Sequence, residues 1–173
     1  MTPCIFLDRD GILNQVIMRD GLPASPRSVE EFKFLPSAIK LLSTIKSKGY
    51  LAIIVTNQPD IGRGLMSQKT LDIINSELMR TGKIDQIFCA CSGDQNDSYR
   101  KPNNSMIVEA SKIWDVDLSS SLIIGDSWKD IEAGKRAGIK TLLLETTYNT
   151  KAHGTADKNF YCYEAIIEYI KSL

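Results

Sequence analysis

Unbroken apolar runs constrain this chain more than any other feature. Residues 3–8, 51–55, 121–124 and 141–144 are each built around an unbroken stretch of Cys, Ile, Leu, Val, Phe or Ala, and residues 84–91 form a more interrupted candidate. A strand whose two pleat faces are both apolar must be buried on both, as in a parallel sheet covered by helices. Helical periodicity fills the gaps. Ile39, Leu41, Leu42 and Ile45 follow Pro36 and stop at Gly49, and Leu71, Ile74 and Leu78 follow the cap candidate Ser67. Met106, Ile107, Ala110 and Ile113 follow Pro102 or Asn103, with Trp114 expected in the core. Residues 128–137, closed by Gly138, and 164–171 complete the set. Strands alternating with helices predict an α/β fold, a three-layer sandwich of Rossmann type around a parallel sheet. Residues 14–27, broken by Gly21, Pro23 and Pro26, are expected as an irregular loop. A polar loop through Gly154 is expected to lead directly to the last helix.

Three of these runs end in a polar cluster. Asp8-Arg9-Asp10-Gly11 closes the run at 3–8 and Thr56-Asn57-Gln58 follows 51–55, while Gly125-Asp126 with Asp130 follows 121–124. Arg100-Lys101-Pro102 opens a helix in the same layer. Parallel sheets bind ligands beyond the C-terminal ends of their strands, so these clusters are expected to converge on one site. Asp8 and Asp10 lie two positions apart and point to the same side. Like charges that close call for a cation, and Mg²⁺ takes one or two carboxylates together with waters and phosphate oxygens. Such a set suits phosphoryl transfer. Asp8 is the candidate nucleophile and Asp10 the acid and base. Asp126, one Asp8 oxygen and the Asp10 carbonyl are candidate Mg²⁺ ligands. Thr56 and Lys101 would meet the equatorial oxygens, and Asp130 would support the metal site one helical turn on.

These motifs, in this order and spacing, resemble those of the haloacid dehalogenase superfamily. More narrowly, Phe6-Leu7-Asp8-Arg9-Asp10-Gly11, Val55-Thr56-Asn57-Gln58 with Ile61-Gly62-Arg63-Gly64, and Arg100-Lys101-Pro102 resemble the heptose-bisphosphate and histidinol-phosphate phosphatases. The resemblance implies the roles just given, with Arg100 recognising the rest of the substrate, and Asn57 and Arg63 are further substrate-binding candidates. It also implies an enzyme without a cap domain, and neither 14–35 nor 57–100 has room for one. Three loops, around 14–27, 59–65 and 92–100, would then set specificity. Similar enzymes often carry a zinc clip ahead of Arg-Lys-Pro. Here only Cys89-x-Cys91 remains, with Asp97-x-Tyr99 in place of the second pair, so structural zinc is not expected. Ser127 stands where that family has a basic residue, and Pro59-Asp60 where it has Ser-Gly. Arg63 and Arg100 suit a second anionic group on a compact polyol, so a heptose 1,7-bisphosphate of bacterial glycoconjugate synthesis is the expected substrate. Histidinol phosphate is the alternative.

Composition narrows the classes. At 173 residues a single domain over 1–173 is expected. Lys plus Arg equals Asp plus Glu at 21 each, which argues against a polynucleotide partner and hence against a polynucleotide 3′-phosphatase. No run reaches the roughly 20 apolar residues of a membrane span, and no leader pattern precedes residue 4, so a cytoplasmic monomer without membrane contact is expected. A phospho-receiver switch would carry its acceptor after a middle strand, where this chain has Thr56-Asn57. A binding module without catalysis would not need all four motifs. His153, the one histidine, is expected at the surface, Cys4 and Cys162 in the core, and Lys129 and Lys135 on a solvated helix face. Trp128 could border the site or pack.

Overall fold

A computed structural model describes residues 1–173. The chain begins with β1 (Cys4–Leu7), then a small hairpin of β2 (Ile17–Arg19) and β3 (Leu22–Ala24), then α1 (Pro36–Ser47). It continues through β4 (Leu51–Asn57), α2 (Gln68–Met79), β5 (Gln86–Ala90) and α3 (Ser105–Ile113). The last third is β6 (Leu122–Gly125), α4 (Trp128–Ala137), β7 (Lys140–Leu144), β8 (Lys158–Phe160) and α5 (Tyr163–Lys171). Six strands form one parallel sheet in the order β5-β4-β1-β6-β7-β8.

The period of two along β1 divides the core. Ile5 and Leu7 join Ile54, Ile124 and Leu142 against Leu41 of α1, Ile74 of α2 and Ile166 of α5. Cys4 and Phe6 join Ile53, Val55 and Ile123 against Ile107 of α3 and Ala133 of α4. Apolar side chains on both faces explain why these strands read as continuous runs rather than alternating ones. The architecture is the expected three-layer α/β sandwich. No cap domain interrupts it, since the β1–α1 connection holds only the β2–β3 hairpin.

Several local expectations need correction. The 14–27 stretch is not irregular: Asp20 (φ 51°) and Gly21 (φ 75°) make the tight left-handed turn that pairs β2 with β3. Strand β8 adds an edge beside β7 where a plain loop was expected. Helix α3 starts at Ser105, because residues 100–103 form a turn closed by the Asn103 N–H on the Arg100 carbonyl (2.9 Å). Cys162 is the exposed residue before α5 rather than a core residue. Ile39 and Ile113 also lie outside the buried stripes of their helices and are exposed, and half-buried Trp114 packs on the core beside Ile113. No helix is long and apolar enough to cross a membrane.

Candidate active site

Strand order places the site. From β1 the chain builds outward through β4 to β5, then crosses back to β6 on the other side of β1. The crevice at that reversal is where open α/β sheets bind ligands. Asp8 and Asp10 follow β1 there, Asp126 follows β6, and Lys101 precedes α3. All four line one cleft of about 380 Å³.

Lys101 is the hub of the floor. Its ammonium is buried and lies 2.8 Å from Asp8 Oδ1 and 2.5 Å from Asp130 Oδ1. Burial opposes its charge, yet the two carboxylates more than compensate and raise its pKa. Asp130 Oδ2 accepts from the Ser127 N–H (3.1 Å) and Oγ (2.5 Å) at the start of α4. Both Asp130 oxygens are therefore committed, one to Lys101 and one to the helix start. Gly125 leaves the space, since a Cβ there would fall 2.3 Å from Asp130 Cβ.

Asp8, Asp126 and Asp130 bring carboxylate oxygens within 4.8 Å of one another. Burial, then repulsion from Asp130, pushes Asp8 up to about 7 despite Lys101. Asp126 is also raised, by burial and then by Asp8 and Asp130. This is a dense negative site short of positive charge. Hard carboxylate oxygens with unmet charge fit Mg²⁺, and with Asp130 committed, Asp8 and Asp126 are the side chains left to hold it. Asp126 Oδ2 accepts from the Tyr148 hydroxyl at 2.7 Å. Gly11 has a φ of +87°, and a Cβ there would fall 2.1 Å from Asp126 Oδ2, so no side chain fits.

Asp10 sits in a different field. Its Oδ1 accepts from Arg9 Nε (3.0 Å) and Nη2 (2.9 Å) and from Asn14 Nδ2 (2.9 Å). Its Oδ2 accepts from Ser25 Oγ (2.6 Å) and Gln58 Nε2 (2.9 Å). Burial alone would raise its pKa, but fully buried Arg9 and these hydrogen bonds outweigh it and hold Asp10 below its ordinary value. Two acids two residues apart are thus driven in opposite directions.

The remaining expected residues are placed less uniformly. Arg63 and Arg100 line the cleft. Asn57 also lines it, but its amide is occupied: Nδ2 donates to the Lys101 carbonyl (2.9 Å) and Oδ1 accepts from the Lys101 N–H (3.0 Å). Asn57 thus fixes the backbone that carries Lys101. Thr56 is buried and does not line the cleft, and its Oγ1 accepts from Gln58 Nε2 at 2.9 Å. Lys129 is half-buried on the cleft wall rather than on a solvated face, because α4 starts at the cleft and its first turn faces inward. Trp128 borders the cleft while 45% exposed. His153 is exposed and bonded to the Thr146 carbonyl.

Some contributors carried no expectation. Ser25 and Arg27 arrive through the hairpin, whose Asp20-Gly21 turn was the available signal. Gln58 lay inside a recognised motif without an assigned role. Tyr148 follows β7 with no pattern around it. Cys89 and Cys91 join no cluster of three metal-ligand side chains. Burial pushes the Cys89 thiol up to about 11 and raises Cys91 as well.

The chain is similar to known proteins over most of its length. A HAD-hydrolase-like family model matches residues 98–170. A D-glycero-alpha-D-manno-heptose-1,7-bisphosphate 7-phosphatase from Burkholderia mallei is 37% identical over 153 residues, covering 81% of this chain and 78% of that protein. A Campylobacter jejuni enzyme of the same name is 31% identical, covering 98% and 96%. The solved D,D-heptose 1,7-bisphosphate phosphatase from B. bronchiseptica, complexed with magnesium and phosphate, superposes with a TM-score of 0.82 at 26% identity and 99% coverage of both chains. The chain belongs to the haloacid dehalogenase-like hydrolases, in the family of the D-glycero-D-manno-heptose-1,7-bisphosphate 7-phosphatases.

Proposed function

We propose that this chain, as a single domain over residues 1–173, is a phosphatase that hydrolyses one phosphate of D-glycero-D-manno-heptose 1,7-bisphosphate in bacterial heptose and lipopolysaccharide biosynthesis. The observation that carries the reading is the pairing of Asp8 with buried Lys101 beside Asp126, at the strand-order reversal, under a cationic cleft. Mg²⁺ held by Asp8, Asp126 and the Asp10 carbonyl would neutralise charge on the transferring phosphoryl group. An oxygen of Asp8 attacks phosphorus while the bond to the sugar oxygen breaks, leaving an aspartyl phosphate. Lys101, fixed by Asp130 and Asn57, meets the equatorial oxygens as charge builds on them. Asp10 gives its proton to the leaving alkoxide, then takes one from the water that hydrolyses the aspartyl phosphate.

The hydrogen bonds around Asp10 favour its carboxylate, the form needed for the second step. For the first, a phosphate dianion arriving beside it raises its affinity for a proton. Thr56 acts at one remove, through Gln58 on Asp10. Asn57 acts through the Lys101 backbone, so recognition of the rest of the substrate falls to the cationic walls of the cleft, which Arg63 and Arg100 help to line.

Asp8→Asn tests the mechanism, because it removes the nucleophile and a metal ligand together. Turnover should fall by at least about a thousandfold with the fold intact by circular dichroism. A folded Asp8→Asn protein that keeps most of its activity contradicts the mechanism.

A further inference from the structure

Away from the floor of Asp8, Asp10, Asp126 and Lys101, the ionisable lining of the cleft is Arg27, Arg63, Arg100, Lys129 and Asp60. Four cations face one carboxylate. That leaves a surplus of three positive charges beside the place where the reacting phosphate binds.

The single carboxylate is placed to organise two of the cations. Asp60 is 5% exposed, and its Oδ2 accepts from Arg27 Nε at 2.7 Å while its Oδ1 accepts from Arg63 Nη1 at 3.4 Å. A buried carboxylate without partners is costly, so Asp60 and the two guanidiniums hold one another in place. The grip leaves donors over. Arg27 Nη1 and Nη2, and Arg63 Nε and Nη2, have no protein acceptor.

The backbones of Arg27 and Asp60 are also pinned. The Arg27 N–H donates to Glu31 Oε2 (2.7 Å), which also takes Arg19 Nη2 of β2. The Asp60 carbonyl accepts from the N–H groups of Leu65 (2.8 Å) and Met66 (3.1 Å). Gly62 seats that loop on residues 91–93, since a Cβ there would fall 2.4 Å from the Gly93 nitrogen. Two planar forks with spare donors, fixed by one carboxylate on a pinned loop, are preorganised for an anion rich in oxygens.

We propose that Asp60 is a positioning residue that holds Arg27 and Arg63 as a two-guanidinium clamp for the second, non-reacting phosphate of the substrate. The proposal rests on the bisphosphate reading above. It departs from the sequence expectation, in which Arg63 and Arg100 carried that duty and Arg27 and Asp60 had none.

The test compares kcat/KM for D-glycero-D-manno-heptose 1,7-bisphosphate with that for the 7-monophosphate, which keeps the reacting group and lacks the second phosphate. Three proteins are compared with wild type: Arg27→Gln, Asp60→Asn and the double variant. Arg27 is one-third exposed and its replacement should fold even if that of Asp60 does not. Each single variant should lower the bisphosphate-to-monophosphate ratio by about 10- to 100-fold, through KM more than kcat. The double variant should fall little further, because both changes dismantle one unit. A wild-type enzyme that prefers the bisphosphate, with the ratio unchanged in Arg27→Gln, overturns the clamp alone. A wild-type enzyme with no preference for the bisphosphate overturns the substrate reading, and the clamp with it.

Discussion

Lys101 and Asp130 show how much of the site depends on single residues. Lys101 is the one ammonium within salt-bridge reach of Asp8, and Asp130 holds it there from the start of α4. Lys101→Met keeps the stem and removes the charge, leaving Asp8 and the buried Asp130 unneutralised. We expect kcat/KM to drop by roughly a hundredfold or more, in line with the loss of a charged oxyanion partner. Lys101→Arg should recover little, because a planar fork cannot replace a point charge between two carboxylates. Near-normal kinetics in Lys101→Met would remove Lys101 from the site. At this scale the sequence was informative where chemistry dictates residue type. Asp8, Asp10, Asp126 and Lys101 stand at strand or helix ends and could be read from their spacing. Asn57 and Thr56 are polar residues at such an end too, yet their side chains turn to Lys101 and Gln58, a choice that rests on contacts 44 and 2 residues away. Tyr148 reaches Asp126 across 22 residues with no local pattern to announce it.

At the scale of elements, legibility followed burial. Strands apolar on both faces and helices with a clear stripe stood out, whereas β2, β3 and β8, each three residues long and at most half-buried, did not. The hairpin was obscured by Pro23, which reads as a breaker even though an isolated two-stranded ribbon tolerates it. Strand β8 is held partly by one side chain. Asp157, just before it, accepts from the Thr141 N–H and Oγ1 of β7, both at 2.8 Å. Those bonds, led by the one from the backbone, hold Asp157 below its ordinary value. The stability it adds is therefore complete above about pH 4 and is lost as pH falls through its lowered folded value. Asp157→Ala should cost about 1 kcal/mol at neutral pH, a modest figure because the carboxylate is solvent-exposed. The difference from wild type should shrink on acidification, as read by urea melts at pH 7 and pH 3. A difference that persists undiminished at pH 3 would show that Asp157 acts through something other than its charge.

For the molecule as a whole, the 21 to 21 charge balance conceals strong segregation. Acids and one lysine occupy the cleft floor, and a surplus of arginine and lysine occupies its walls. That segregation comes from the meeting of three loops and α4, which composition cannot show. The loop of residues 92–99 is held by turns of its own, with the Asn96 N–H on Asp94 Oδ1 (2.9 Å) and the Tyr99 N–H on Asp97 Oδ1 (2.7 Å). Arg100 ties to it through Nη1 on the Asp94 carbonyl at 2.8 Å. Elemental analysis of protein purified without chelator should find zinc well below one equivalent. Near-stoichiometric zinc, lost with activity in Cys89→Ser/Cys91→Ser, would show instead that metal holds this loop. The most direct test of the account is a Mg²⁺-dependent phosphate-release assay comparing kcat/KM on D-glycero-D-manno-heptose 1,7-bisphosphate, histidinol phosphate and a 3′-phosphorylated oligonucleotide. The heptose bisphosphate should lead by at least about tenfold, since it alone offers a compact second phosphate to the cationic walls. A higher kcat/KM on histidinol phosphate or on the oligonucleotide would contradict it.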